Sequence, residues 1–535
     1  MRLRSLSSSV WFYSPVWATS LSLAADGPAS GWRMATAAQS AALSAARGSR
    51  RLNVGHHGAV LPFCWGPRSV AAGLLATSAG CDRRALRILT GGAGAGAGYQ
   101  RAPRPGLSID SVGFVDVASS SSSTVAAAAT SRRYLSSTDG PSSAPLKKVV
   151  PGPATALTEE EALLQDMVAK FAARHVAPLV ASMDVNAELD PSLLAQLFEA
   201  GLMGVEVPAV HGGGGMSFSS SIIVIEELAK VDAAVSAVVD IHNTLLCNAV
   251  RRHGSEAQQA EWLPRLATSS LGAFCLSEAG SGSDAFALKT TAVRGGDGWV
   301  LNGTKAWISN AREADIFLVF ANADPAAGHR GITAFLVDRT AAGDGLVVGK
   351  KEDKLGIRAS SCCELSLDGL LVPDANVLGP VGEGYKIAIG GLNEGRVGIG
   401  AQLVGLAQGA LDVTLPYTAQ RQQFGRPVAD NQGMQFQFAQ AATELAAARA
   451  LVYNAARLVD AGLPVVADAA YAKLYASQVA DRVAASCINW AGGVGYMRDF
   501  PAEKFFRDAK IGQIYEGTTN MHLATIAKLL AAKYK

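Results

Sequence analysis

Residues 299–337 read WVLNGTKAWISNAREADIFLVFANADPAAGHRGITAFLV, and their pattern differs from that of the sequence on either side. Three segments, 299–301, 316–320 and 332–337, are rich in β-branched, aromatic and other apolar residues, and Gly, Asn and Asp separate them. Short apolar runs between turn-forming residues are typical of β-strands. The stretch therefore predicts a compact β domain, which we assign to residues 272–382.

The sequence before this domain has the pattern of helices. Thr158 is followed by three glutamates, which is typical of a capping box, and apolar residues then recur at helical spacing. Further helices are predicted at residues 193–199, 219–230 and 233–250. The last of them is apolar enough to be buried on all sides. We assign an N-terminal all-α domain to residues 158–271.

The sequence after the β domain, residues 383–535, is helical again. Its stretch 434–461 is long, alanine-rich and periodic, which favours a helical bundle and an oligomer interface. An α–β–α order without alternating βαβ units predicts a multidomain α+β protein. It argues against a Rossmann or barrel enzyme.

The first 150 residues have a different composition, with many arginines and no glutamate. This composition is typical of an organellar transit peptide. Arg132-Arg133 resembles a mitochondrial processing site, so we predict a leader at residues 1–134, a mature N-terminus near Leu135 and a linker at 135–157. The leader's GGAGAGAG run lacks the following helix and acidic residue of a dinucleotide-binding fingerprint.

Composition excludes several other classes of protein. The chain has 535 residues and a formal net charge of +2, which argues against a dedicated nucleic-acid binder. The seven cysteines form no CxxC pair, so we expect reduced thiols and no metal site. Because no uninterrupted apolar run reaches about 18 residues, we expect no membrane span.

Six motifs carry glycine, polar and aromatic residues in patterns that suit a binding site. They are FCLSEAGSGSD at 274–284, WIS at 307–309, NEGR at 393–396, RQQFG at 421–425, NWAGG at 489–493 and RDAKIGQIYEGTTN at 507–520. Each alone is weak evidence, because a Gly/Ser turn, a buried tryptophan or a glutamate at a helix end is common in proteins.

In their order and spacing, the six motifs resemble those of the acyl-CoA dehydrogenase family over residues 158–535. The segments ASSCCELSLDGLLVP, LNEGR and TIAK are most similar to its short/branched-chain (2-methylbutyryl-CoA) specific members. The resemblance implies an N-terminal all-α domain, a middle β domain and a C-terminal four-helix bundle. It also implies FAD-dependent α,β-dehydrogenation of a short or branched-chain acyl-CoA to a trans-2-enoyl-CoA. Electrons would pass to electron-transferring flavoprotein, in a homotetramer of the mitochondrial matrix that serves branched-chain amino acid or fatty acid catabolism.

The same resemblance implies roles for individual residues. Glu516 is the base that removes the α-proton, and flavin N5 receives the β-hydride. The implied FAD contacts are Phe274, Leu276, Ser277, Gly282, Ser283, Trp307, Ile308, Ser309, Arg421, Phe424, Gln432, Asn489, Gly492, Gly493, Thr518 and Asn520. The implied substrate contacts are Ser283, His329, Tyr385, Asn393, Arg396 and Gly517.

The family uses a second position for the base, directly before the arginine of the NEGR motif. In this chain that position is Gly395. Glu394 is one residue earlier, and one residue on a helix corresponds to a rotation of about 100°. The sequence therefore favours Glu516 as the base.

Several alternatives remain open at this point. HGGGG at residues 211–215 resembles the oxyanion loop of a hydrolase, but no GxSxG motif is present. A non-catalytic acyl-CoA or flavin-binding protein is disfavoured by Glu516, and an acyl-CoA oxidase would use oxygen as acceptor. Isovaleryl- and isobutyryl-CoA are possible substrates. The resemblance implies that a glutaryl-CoA dehydrogenase would carry an arginine for the distal carboxylate in the region after Val231. Because residues 231–250 contain no Lys or Arg, a dicarboxylate substrate is disfavoured.

Overall fold

The computed structural model describes residues 153–535. The predicted leader, the processing site near Leu135 and most of the predicted linker lie outside the described residues.

Thirteen α-helices make up about half of the described chain. They are α1 (Glu159–Phe171), α2 (Val180–Asn186), α3 (Pro191–Glu199), α4 (Phe218–Ala229), α5 (Ala233–Asp240), α6 (Asn248–His253), α7 (Glu256–Thr268), α8 (Arg339–Ala342), α9 (Gly384–Gln420), α10 (Gln432–Asp460), α11 (Val466–Ala491), α12 (Ala502–Ala509) and α13 (Thr519–Lys533).

The strands lie almost entirely between α7 and α9. They are β1 (Gly272–Cys275), β2 (Thr291–Gly295), β3 (Gly298–Ser309), β4 (Ile316–Asn322), β5 (Ile332–Asp338), β6 (Leu346–Lys351), β7 (Cys362–Pro373), β8 (Val377–Leu378), β9 (Gln422–Gln423) and β10 (Arg426–Pro427). The three predicted β-runs fall inside β3, β4 and β5, so that prediction is confirmed.

The first helix begins at the predicted capping box. The Glu161 N–H donates to Thr158 Oγ1 at 3.2 Å, and the Thr158 N–H donates to Glu161 Oε2 at 3.0 Å. These reciprocal bonds satisfy two donors that a helix start otherwise leaves without partners. Arg457 on α10 also pairs with the Glu161 carboxylate, so the cap joins the N-terminal and C-terminal helices.

The apolar segment after Asp232 is buried as predicted. Helix α5, a π-helical segment at Ile241–Cys247 and α6 form one continuous helix, Ala233–His253. By length and composition this helix would suffice to cross a membrane, yet its most apolar window lies entirely inside the protein. It is therefore part of the core.

The main sheet is mixed. Its strands lie in the order β6-β7-β3-β2-β4-β5-β8, and β1 pairs in parallel with β4. The pairing of β3 with β7 shifts register between Lys305 and Ile308, and Trp307 there has a φ of +57°. Such a bulge re-aims a side chain. The Trp307 ring consequently points outward and stays 56% exposed.

Helices from both sides of the β domain share one hydrophobic core. Val168 of α1, Ile225 of α4, Leu403 of α9, Val452 of α10 and Val479 of α11 are all fully or almost fully buried in it. Each side chain of α4 is buried. The five cysteines of the described residues are free thiols, and four of them are buried.

Candidate active site

Glu516 lies in a left-handed turn between the helical turn Lys510–Gln513 and α13. Its φ is +50° and that of Gly517 is +90°. A left-handed backbone is uncommon for a residue with a side chain, and such strain clusters at functional sites. The turn places the carboxylate against α9, where a Cβ on Gly395 would lie 3.1 Å from Glu516 Oε2. A side chain at residue 395 would thus reach the space that Glu516 occupies.

The Oε2 atom of Glu516 is buried and has no hydrogen-bond partner among residues 153–535. Burial raises the pKa of Glu516 to about 7, although the positive charges of Arg396 and Lys473 oppose the rise. General bases work best when their pKa lies near the operating pH. Glu516 therefore has both the free lone pairs and the proton affinity that a base requires.

Arg396 lies beside this carboxylate on α9. Its NH1 group donates to Asn393 Oδ1 at 2.9 Å, and its buried Nε has no partner in the described part of the chain. Burial lowers the pKa of Arg396, and the negative charge of Glu516 opposes that change. A Cβ on Gly517 would lie 3.9 Å from Arg396 Nε. The structure thus brings together four of the residues predicted from the sequence.

A second carboxyl group, Asp240 of α5, is buried near the first. The Thr244 hydroxyl donates to Asp240 Oδ1 at 3.0 Å, and a Cβ on Gly398 would lie only 2.0 Å from that oxygen. Burial raises the pKa of Asp240 well above its ordinary value, and the nearby charge of Glu516 adds to the rise. Both effects favour the protonated form of Asp240. Gly395 and Gly398, one turn apart on α9, each leave room for a carboxyl group.

The residues on both sides of Glu516 are anchored to helices. The Tyr515 hydroxyl donates to Gln402 Oε1 on α9. Lys473 Nζ on α11 donates to the Gly517 carbonyl at 2.7 Å, and His522 Nε2 on α13 lies 3.0 Å from the same oxygen. Three helices consequently hold the turn that carries Glu516.

Glu394 is engaged on a different face of α9. Asn248 Nδ2 donates to Glu394 Oε2 at 3.0 Å and also to Glu206 Oε1 at 3.0 Å. Arg252 forms an ion pair with Glu394, and burial raises the pKa of Glu394 to about 7. Because its two oxygens already have partners on α6, Glu394 is poorly placed to act as a base at the Glu516 site.

The Gly/Ser motif and the WIS motif lie side by side. The Ala306 N–H donates to Ser277 O at 2.9 Å. Buried Lys305 donates to Leu276 O at 3.3 Å and to Glu278 Oε1 at 2.8 Å. These bonds join the loop to β3 directly before the exposed Trp307. The other members of the two motifs differ in exposure: Gly282 and Ser283 are exposed, Ile308 is buried and Ser309 is half-buried.

Two predicted substrate contacts meet an aromatic residue that the sequence did not single out. The rings of His329 and Tyr385 are edge-on with centroids 4.9 Å apart, and Phe286 meets Tyr385 edge-on at 6.4 Å. Phe286 follows Ser283 by only three residues. The end of the Gly/Ser loop therefore lies near the start of α9.

A separate cavity of about 450 Å³ lies at the C-terminal end of α9 and α11. Arg421, Gly492 and Gly493 line it together with Tyr417 and Trp490. The sequence predicted the first three of these residues as cofactor contacts.

The remaining predicted contacts are dispersed. Phe424 is fully exposed in the β9–β10 hairpin, Gln432 begins α10, and Asn489 is exposed near the end of α11; none of the three lines the cavity. Phe274 packs against Phe320, with ring centroids 4.9 Å apart.

The last two predicted contacts begin α13. Thr518 caps the helix by accepting a bond from the Met521 N–H at 3.4 Å. Asn520 is exposed in the first turn.

Comparison with known proteins gives this arrangement a family. Three family models match the chain: the acyl-CoA dehydrogenase N-terminal domain at residues 158–270, the middle domain at 273–370 and the C-terminal domain at 382–531. The chain belongs to the acyl-CoA dehydrogenase family. The resemblance that its motifs predicted is confirmed, and the protein is an oxidoreductase acting on the CH–CH group of an acyl-CoA.

Individual relatives agree with this membership. The mitochondrial short/branched chain specific acyl-CoA dehydrogenase of Rattus norvegicus is 55% identical over 382 residues, which cover 71% of this chain and 88% of the relative. Butyryl-CoA dehydrogenase from Megasphaera elsdenii is 38% identical with a TM-score of 0.69, covering 70% of this chain and 99% of the other. A glutaryl-CoA dehydrogenase from Mycobacterium smegmatis in complex with FADH2 is 31% identical with a TM-score of 0.67, covering 70% and 95%.

The residues of this acyl-CoA dehydrogenase fit the flavin that its family implies. Trp307 presents an outward-facing ring beside the backbone of Ser277, which suits one face of a planar ring system. The cavity lined by Arg421 has the volume of a cofactor-binding pocket, and an arginine fork matches phosphate oxygens.

Sequence reasoning missed Asp240, Lys473 and His522, all of which lie near Glu516. Two of them left a signal in the sequence. Asp240 is the one charged residue in the apolar segment 233–250, and Lys473 is the one lysine in an alanine-rich helix. A lone charge on a buried helix face needs a partner or a function. His522 left no comparable signal.

Proposed function

We propose that Glu516 removes the α-proton of a short or branched-chain acyl-CoA and so begins its conversion to a trans-2-enoyl-CoA. The observation that carries this proposal is the buried Glu516 oxygen, which has no partner in the described chain and whose carboxyl has a pKa of about 7. FAD supplies the acceptor for the hydride that leaves the β-carbon.

The α-proton of a thioester is only weakly acidic, so its removal requires stabilisation of the developing enolate. We propose that the backbone N–H of Glu516 donates one hydrogen bond to the thioester carbonyl. Arg396 adds positive charge next to the base, which favours its ionised form. When substrate excludes water from this turn, the pKa of Glu516 rises further, toward the pKa of the substrate α-carbon from which it takes the proton.

We assign the FAD site to the two motifs around Trp307 and to the cavity near Arg421. Trp307 would cover one face of the flavin ring, while Leu276, Ser277 and Ser309 approach its edge. Arg421 would bind the pyrophosphate. The remaining assigned contacts are Phe274, Gly282, Ser283, Ile308, Phe424, Gln432, Asn489, Gly492, Gly493, Thr518 and Asn520.

We assign the substrate-binding side of the site to six residues: Ser283, His329, Tyr385, Asn393, Arg396 and Gly517. Two features disfavour a dicarboxylyl-CoA. Residues 231–250 contain no Lys or Arg, and Asp240 adds a buried carboxyl group to the same helix. A second carboxylate bound along this helix would find no cation of the helix itself to pair with.

The remaining assignments rest on family membership. We propose electron-transferring flavoprotein as the electron acceptor, a homotetramer as the assembly and the mitochondrial matrix as the compartment. We also retain the proposed domain boundaries of 158–271, 272–382 and 383–535, preceded by a leader and linker. The name of the mitochondrial rat relative and the arginine-rich start of the chain support the compartment.

The substrate proposal is tested by anaerobic titration of the FAD-loaded protein with single acyl-CoA esters. Flavin absorbance should fall with 2-methylbutyryl-, isobutyryl- or butyryl-CoA and should stay unchanged with glutaryl-CoA. Absence of bleaching with every ester would overturn the proposal. Peroxide formation in air, compared with the rate of electron-transferring flavoprotein reduction, distinguishes the oxidase alternative.

A further inference from the structure

Lys473 is completely buried in the N-terminal half of α11. Its Nζ atom donates to the Gly517 carbonyl at 2.7 Å, and no carboxylate of the described residues lies within ion-pair distance. Buried lysines are rare unless they are paired, because desolvating an ammonium group is costly. The proposed mechanism gives this lysine no task.

We propose that Lys473 is a positioning residue for the catalytic base, because it holds the turn that carries Glu516 and favours the ionised carboxylate. The inference rests on the proposed role of Glu516 and adds a residue on which that role depends.

The first part of the argument is geometric. Glu516 and Gly517 both have positive φ angles, and a left-handed non-glycine residue is strained, so surrounding contacts must hold it in place. The Gly517 carbonyl directly follows the base and is bonded by Lys473 from α11 and by His522 from α13. Without Lys473, one of these two anchors is lost.

The second part of the argument is electrostatic. Burial lowers the pKa of Lys473 to about 7, although the negative charge of Glu516 opposes that shift. Burial likewise lowers the pKa of His522 to about 4, so His522 is neutral when the enzyme works. The cations that face Glu516 are then Arg396 of α9 and Lys473 of α11.

Two acidic groups also face the base. Burial raises the pKa of Asp240 of α5 and of the Tyr515 hydroxyl well above their ordinary values, which favours the uncharged form of each. A neighbouring positive charge lowers the pKa of a carboxyl group. Removing the charge of Lys473 should therefore raise the pKa of Glu516.

The experiment compares Lys473→Met with wild type in FAD-loaded enzyme. The rate of flavin reduction by saturating acyl-CoA is measured from pH 6 to 9.5. The variant should be severalfold slower near pH 6, where wild-type Lys473 carries its charge, and recover toward wild type above pH 9, because its profile shifts upward. Lys170→Met, which removes an exposed charge on α1, is the matched control and should leave the profile unmoved.

Two further variants separate the hydrogen bond from the charge. Lys473→Gln keeps a hydrogen-bond donor without the charge, so its pH profile should shift upward in the same way. It serves as the test variant if Lys473→Met binds FAD poorly. Lys473→Arg keeps the charge and should keep the wild-type profile even where its larger size lowers the rate. A uniform loss of rate with an unmoved profile in Met and Gln would overturn the inference.

Glu516→Gln in the same assay separates this inference from the proposed function. If that variant is inactive at every pH while the Lys473 variants keep the wild-type profile, only the inference about Lys473 fails. If Glu516→Gln stays active, the assignment of the base itself fails.

Discussion

Residues 395 and 516 approach one point from two elements, α9 and the turn before α13. A Cβ on Gly395 would lie 3.1 Å from the Glu516 carboxylate and 2.9 Å from Leu245 Cδ2. A glutamate at residue 395 should therefore reach the substrate once Leu245 moves slightly. Gly395 thus keeps this space free for the side chain of Glu516.

This geometry predicts that the base can be moved. Glu516→Gly, which suits the left-handed backbone, should lower the rate of flavin reduction by about 10²–10⁴-fold. Adding Gly395→Glu to this variant should raise its rate of flavin reduction at least about tenfold, as measured by stopped-flow absorbance. The control is a double variant that combines Glu516→Gly with Gly390→Glu, which adds a glutamate more than one turn before residue 395 on α9. A double variant as slow as Glu516→Gly alone would argue against a shared site.

The raised pKa of Glu516 also predicts a dependence of stability on pH. The folded carboxyl keeps its proton up to about pH 7, whereas the unfolded carboxyl releases it near the ordinary glutamate pKa of 4.5. Folding therefore loses stability between these values as pH rises. In FAD-loaded protein, Glu516→Gln should gain thermal stability relative to wild type over this window and keep the gain above pH 7. If the difference in melting temperature between Glu516→Gln and wild type were the same at pH 4 and pH 8, the raised pKa of Glu516 would be contradicted.

At the scale of elements, local signals were sufficient for many helices and strands. The capping box at Thr158 and the β-branched runs within residues 299–337 determine structure through neighbouring residues, so the sequence alone located α1, β3, β4 and β5. The parallel pairing of β1 with β4 and the π-helical segment at Ile241–Cys247 depend on distant partners. No local pattern reveals them.

Close packing of α9 gives a prediction at the same scale. A Cβ on Gly398 would lie 2.0 Å from Asp240 Oδ1, while a Cβ on Gly390 of the same helix meets nothing within 4 Å. Gly398→Ala should lower the free energy of unfolding by about 1–3 kcal/mol through overpacking. Gly390→Ala should leave it unchanged or raise it by about 0.4–1 kcal/mol. Urea unfolding measures both, and equal effects would contradict the close contact.

At the scale of the whole molecule, the N-terminal and C-terminal helices share one hydrophobic core. Every side chain of α4 is buried, and a Cβ on Gly405 of α9 would lie 2.2 Å from the Glu226 carbonyl of α4. The sequence predicted separate helical domains but contained no indication that they share a core. It also did not reveal that Glu516, Asp240 and Lys473 converge, because they lie far apart in the chain.

The shared core predicts that residues 153–271 do not fold alone. Isolated, this fragment would expose the apolar surface of α4 that α9 covers, and helices without tertiary packing are marginally stable. Its circular dichroism should show no cooperative thermal transition, whereas residues 153–535 loaded with FAD should show one. A sharp transition in the fragment would contradict a common core.

The central claim is that Glu516 is the catalytic base, and the rate of anaerobic flavin reduction in Glu516→Gln tests it most directly. Glu394→Gln is the matched control, because Glu394 is a buried glutamate of the neighbouring helix α9 that faces away from the Glu516 site and has its partners on α6. Glu516→Gln should bind FAD normally and lose flavin reduction by about 10²–10⁴-fold, while Glu394→Gln keeps most of it. Flavin reduction in Glu516→Gln within a few-fold of wild type would contradict the account.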